Sequence, residues 1–156
     1  MKRYMQKLKV MCEFGESLAV LSVDPRIKVG CVIFPVDCTE IYAIGYNGPA
    51  AGLPHSVVGN LGASEGSGCA HAEANALVKF SPRGAKPALM YCTHSPCSRC
   101  APLLLNAGIV GLIYRDEYFV DNGLSLLVRG GLATMPQLDL HLTRVNPFIA
   151  EWAAKR

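Results

Sequence analysis

From residue 87 the chain alternates short β-branched or aromatic runs with helical ones: PALMYCTH, SPCSRCAPLLLNAG, IVGLIYR, DNGLSLLVRGG, ATMPQLDL and NPFIAEWAAK. Strands separated by helices cannot close as tight hairpins, so they pair in parallel through crossovers. A sheet of this kind carries helices on both faces. Upstream, KVGCVIFPV and EIYAIGYN are strand-like runs separated by DCT, which reads as an antiparallel hairpin at the edge. Residues 3–21 place Tyr4, Leu8, Met11 or Cys12, and Leu18 at helical spacing, so a first amphipathic helix is expected there. VDPRIK breaks it, because Pro25 pushes the preceding residue out of the helical region. Another helix is expected over residues 71–80, stopped by SPRG. The fold class is therefore a three-layer α/β/α sandwich with a five-stranded mixed sheet.

The 156 residues suit one domain, residues 1–156, large enough to bury about 68–70% of its unfolded surface. Hydrophobic residues make up 51% and charged residues 17%, which excludes a solvated, disordered chain. A net charge of +3 is far from that of a dedicated nucleic-acid binder and compatible with a small anionic ligand. The basic N-terminus lacks a continuous apolar core and a small-residue cleavage site, and no run reaches the roughly 18 apolar residues of a membrane span. The expected location is the cytoplasm. Seven cysteines, an odd number, then read as reduced thiols with some metal or catalytic use. Cys12, Cys31, Cys38 and Cys92 are read as small buried packing residues.

SPCSRC puts Cys97 and Cys100 on one face of a helix start, where partial positive charge favours the thiolate that a metal binds. Pro96 suits a first helical turn. A lone CxxC fits a redox pair, half of a structural zinc site, or a catalytic site. No second CxxC closes a four-cysteine site; the nearest additional donors, Cys69 and His71, precede the alanine-rich helix AHAEANAL. One His and two Cys leave the fourth tetrahedral position open to water, the mark of catalytic zinc. Glu73, two residues after His71, can face that water without being a ligand, and a positioned carboxylate adds 10²- to 10⁴-fold by moving protons. Each residue alone reads more simply, His71 as a helix-cap histidine and Glu73 as a first-turn carboxylate. Together with Pro96, Cys97 and Cys100 they match the H-x-E…P-C-x-x-C signature of zinc nucleobase deaminases.

From about Ser22 to Leu132 the chain resembles the cytidine deaminase superfamily, and within it the deoxycytidylate (dCMP) deaminases. The resemblance rests on SVDPRIKVG, IGYNG, HAEANAL with Asn75 after the Glu, and SPCSRCAPLLLNAGI. It implies a cytidine deaminase-like fold and zinc (Zn2+) held by His71, Cys97 and Cys100. It also implies hydrolysis of dCMP to dUMP and ammonia, with Glu73 protonating N3 as hydroxide adds at C4 and then passing a proton to the leaving amino group. Asn47 would contact the sugar and the Ala72 backbone would lie beside the base edge. For the 5′-phosphate the candidates are Arg26, with Tyr118 or Arg115. A homo-oligomer with dCTP and dTTP as effectors is the corresponding expectation for partners.

The segment PAAGLPHSVVGNLGASEGSG departs from the effector-regulated relatives, which carry acidic and basic residues there. Over residues 50–68 it holds five glycines and one charged residue, Glu65, and reads as a long functional or mobile loop. His55 and Cys69 are candidates for a second metal site. The rival readings are a deaminase of a modified deoxycytidylate, a nucleoside or a nucleic-acid base, a zinc-stabilised interaction module, and a CxxC redox protein.

Overall fold

The computed structural model describes residues 2–55, 69–81 and 86–137. The expected C-terminal helix in NPFIAEWAAK, most of the 50–68 loop, and the stop signal beyond Ser81 lie outside these residues. Helix α1 (Lys2–Ala19) precedes the antiparallel hairpin of β1 (Gly30–Pro35) and β2 (Ala43–Tyr46). Two short strands, β3 (Gly48–Pro49) and β4 (Cys69–Ala70), pair as a separate ladder. Then come α2 (Ala72–Leu77), β5 (Ala88–His94), α3 (Ala101–Asn106), β6 (Ile109–Asp116), α4 (Gly123–Arg129) and β7 (Ala133–Pro136).

The main sheet has the order β2-β1-β5-β6-β7, antiparallel as far as β5 and parallel from β5 to β7. Five strands in mixed sense, with an antiparallel hairpin at one edge, are the architecture the alternation dictates. Side chains alternate across the sheet and supply two cores. Val32, Phe34, Leu89, Tyr91, Ile113 and Met135 face α1, which contributes Leu8, Cys12 and Leu18. Cys31, Ile33, Met90, Leu112 and Tyr114 face α2, α3 and α4. Because both faces are covered, all six residues of β1 are buried, which is why it reads as a continuous apolar run. Among the described residues no helix is long and apolar enough to cross a membrane.

One cysteine expectation is corrected. Cys12 and Cys38 pack in the core as anticipated, but Cys31 and Cys92 form a disulfide. The cause is register: the two residues lie directly opposite each other in the antiparallel β1–β5 pair, with Cα atoms 4.3 Å apart.

The alanines of α2 have a packing reason at Gly45 on β2. A Cβ added there would lie 2.6 Å from the Ala76 nitrogen and closer still to the Ala72 carbonyl oxygen. The helix therefore runs against bare backbone, and Ala72 and Ala76 are fully buried. Gly45→Ala is expected to cost about 1–3 kcal/mol by overpacking, seen as a fall in thermal midpoint. An unchanged melting curve would mean that this seam has slack.

Candidate metal centre and active-site cleft

The start of α2 presents two functional side chains in different directions. His71 is the N-cap, with extended backbone (φ −68°, ψ 151°), and its carbonyl accepts the Asn75 N–H at 2.9 Å. Its imidazole makes no cap bond and turns to the cysteine turn instead. Glu73, in the first helical turn, is 5% exposed. Asn75 anchors the helix by donating to the Tyr46 carbonyl at 3.0 Å.

The second element starts later than its sequence suggests. Residues 98–100 form a turn, Cys100 is the N-cap of α3, and the proline at the helix start is Pro102 rather than Pro96. The reason is that the Cys97 carbonyl accepts the N–H groups of both Cys100 and Ala101, which closes a tight turn around the metal-facing sulfurs. Gly108, at φ +74°, follows the end of the helix as anticipated. Asp121 buttresses the turn, because its carboxylate accepts the Ser98 N–H at 2.9 Å, the Ser98 hydroxyl at 3.0 Å and the Gly123 N–H at 3.1 Å.

These elements bring the three predicted ligands together. His71 Nδ1 lies 3.4 Å from Cys97 Sγ and 3.6 Å from Cys100 Sγ, and the three donor atoms are all within 4.8 Å of one another. Tetrahedral zinc with bonds of about 2.0–2.3 Å places its donors about 3.3–3.8 Å apart, so the spacing fits. Among the described residues this is the one His/Cys/Asp/Glu group with such geometry. Among the described residues Cys69 joins no second such group, and its thiol donates to Asp24 Oδ2 at 3.5 Å. His55 is exposed.

The electrostatics also suit a cation. The hydrogen bond from Cys100 drives the Cys97 thiol far down, helped by His71 and by the Arg99 and Cys100 backbone N–H groups, and burial opposes it only in part. The same bond and burial push Cys100 up. Its bond to Cys97 raises the His71 imidazole. Burial pushes the Glu73 carboxyl up to about 7, against the pull of a backbone N–H, His71 and the Cys100 thiol. A carboxylic acid poised near neutrality is suited to taking and returning protons.

A cleft of about 200 Å³ opens over this group. His71, Ala72, Glu73 and Cys97 line it, as do three other residues expected from the sequence: Asn47, Arg26 and Tyr118. Asn47 has a second occupation, since its Oδ1 accepts the Val29 N–H and its Nδ2 donates to the Ile27 carbonyl, each at 2.7 Å. An amide has two N–H donors, so one remains beyond this clamp. The Tyr118 N–H donates to Ser95 Oγ at 2.7 Å. Arg115 does not line the cleft; it follows Ile113 onto the α1 face and pairs with Asp116 at 2.8 Å. Asp24, His94 and Ser95 line the cleft without having been anticipated, and Cys69, expected only as a metal donor, lines it too. Asp24 lies within SVDPRIKVG, and His94 and Ser95 directly precede the PCxxC run, so adjacency to those motifs was the available signal.

A donor set of one nitrogen and two sulfurs with an open position, beside a buried carboxylate, is the arrangement of a catalytic metal centre rather than of a closed structural one. Cys97 and Cys100 are not bonded to each other but turned towards one imidazole. Residues 5–115 match the cytidine and deoxycytidylate deaminase zinc-binding region, and the chain belongs to that family. It is 34% identical over 133 residues to ComE operon protein 2 of Bacillus subtilis, covering 79% of this chain and 66% of that protein. It is 31% identical over 120 residues to human deoxycytidylate deaminase, covering 70% and 67%. The chain thus spans about two thirds of the length of these relatives. The dCMP deaminase of cyanophage S-TIM5, solved in complex with dCMP and dUMP, superposes with a TM-score of 0.72 at 27% identity, covering 85% of this chain and 97% of that one.

Proposed function

We propose that the chain converts dCMP and water to dUMP and ammonia, with zinc held by His71, Cys97 and Cys100 and with Glu73 moving the protons. The observation that carries this reading is Glu73, a 5%-exposed carboxyl lining the same cleft as two of three metal-type donors. Zinc, when bound there, lowers the pKa of water from 15.7 to about 7. Glu73 takes a proton from the incoming water and delivers it to N3 of the pyrimidine as oxygen adds at C4. In a second transfer it carries the proton of the new C4 hydroxyl to the exocyclic nitrogen, which leaves as ammonia as the C4 carbonyl forms.

In this reading Asn47 contacts the sugar through its second amide N–H, and the Ala72 backbone meets the base edge. Arg26 and Tyr118 receive the 5′-phosphate. Arg26, with its side chain 65% exposed, is the cation on the cleft wall that suits a dianion. The match to deoxycytidylate deaminases in both sequence and structure supports the nucleotide over the bare base.

The test is ammonia release across dCMP, CMP, deoxycytidine, dCTP, 5-substituted dCMP, guanine and a tRNA anticodon hairpin. The highest kcat/KM is expected for dCMP. A preference for guanine or the hairpin would overturn the assignment.

A further inference from the structure

Asp24 is 5% exposed, and carboxylates are almost never that buried unless paired. Its Oδ1 accepts the Arg26 N–H at 2.8 Å and the Ile27 N–H at 3.3 Å, closing the turn that displays Arg26. Its Oδ2 lies 3.5 Å from the Arg26 guanidinium and 3.5 Å from the Cys69 thiol on β4. Its own N–H donates to the buried Ser22 hydroxyl at 3.2 Å. Asn47 grips the same turn from its other end, through Ile27 and Val29. Asp24 therefore joins segments 45 residues apart at the wall of the cleft and engages none of the three metal-type donors in any of these bonds.

Arg26 has a long, largely exposed side chain, and ordering such a chain on a ligand costs rotamer freedom. A carboxylate fixed by two backbone N–H groups limits that freedom before any ligand arrives. We propose that Asp24 is a positioning residue for the anionic end of the substrate: it holds the turn and aims Arg26, and so sets the preference of the cleft for a phosphorylated nucleotide over the bare nucleoside. This rests on the reading of the cleft as a nucleotide site. It adds a named residue that acts through another and touches no reacting atom.

Two variants separate turn from charge. Asp24→Asn keeps an Oδ1 acceptor for the two N–H groups but removes the charge facing Arg26. Asp24→Ala removes both. With the zinc-loaded full chain, Asp24→Asn is expected to weaken binding of 2-deoxyribose 5-phosphate, read by calorimetry, about tenfold. KM for dCMP should rise by a similar factor, with kcat within twofold and the kinetics of deoxycytidine unchanged. In an Arg26→Met background the Asp24→Asn effect should vanish, which a merely structural role would not produce. Unchanged sugar-phosphate binding in Asp24→Asn, or equal losses for dCMP and deoxycytidine, would overturn the proposal. The binding measurement does not depend on turnover. If the wild type deaminates a different base while its sugar-phosphate affinity still depends on Asp24, this inference stands and only the assignment of dCMP falls.

Discussion

Glu73→Gln is expected to keep its zinc and to lose turnover by 10²- to 10⁴-fold. Glutamine has nearly the same volume and Glu73 is not itself one of the three donors, so the metal-type donors should stay in place. What it cannot do is carry a proton between water, N3 and the leaving nitrogen. Metal analysis beside steady-state kinetics checks this, and a variant with undiminished turnover would sink the mechanism. A second readout comes from the metal-free protein. Burial raises the Glu73 carboxyl from 4.5 to about 7, so between those values the folded chain holds more protons than the unfolded one. Stability therefore falls as pH rises through that window, by about 3 kcal/mol in total. The apo form of Glu73→Gln lacks that burden and should melt higher than the apo wild type at pH 8, with the difference disappearing towards pH 4. Here one substitution removes activity and adds stability, the signature of a residue kept for its chemistry.

Cys97→Ala should lose bound zinc and, with it, more turnover than Glu73→Gln loses. The metal supplies most of the acidity of the attacking water, and two donors do not hold it at the same spacing. Binding should also depend on pH in a definite sense. In the metal-free chain the Cys100 thiol and the His71 imidazole are both raised, so they hold protons that a cation must displace. Zinc affinity is therefore expected to rise from pH 6 to pH 8, with protons released on binding. Competition against a chelator at the two pH values checks this. Retention of zinc by Cys97→Ala, or an affinity indifferent to pH, would remove these residues from the ligand set.

The parts of this protein that the sequence announces are those encoded locally. Helix α1, the β1–β2 hairpin and the parallel run from β5 to β7 follow from periodicity and loop length, and His71, Glu73, Cys97 and Cys100 stand in two short motifs. What escaped depends on register and long-range approach. No spacing rule places Cys31 opposite Cys92, because the register of β1 against β5 is settled by packing on both faces. Arg115 looked available for an anion until strand alternation put it on the α1 side with Ile113. Asn47 is expected at the sugar, and nothing local in the sequence shows that its amide is also a clasp on a backbone segment 18 to 20 residues earlier. Asp24 escaped for the same reason, since its partner Cys69 is contributed by a distant strand.

The two-rung ladder of β3 and β4 has a consequence for how such a chain diversifies. Gly48 pairs with Ala70 and Pro49 with Cys69, so everything between Pro49 and Cys69 enters and leaves through one narrow gate beside the cleft. Doubling the length of a segment closed in this way costs only about 0.6 kcal/mol in chain entropy. A change of length between these two rungs is therefore cheap, and the ladder, separate from the main sheet, leaves the elements that carry His71, Cys97 and Cys100 untouched by it.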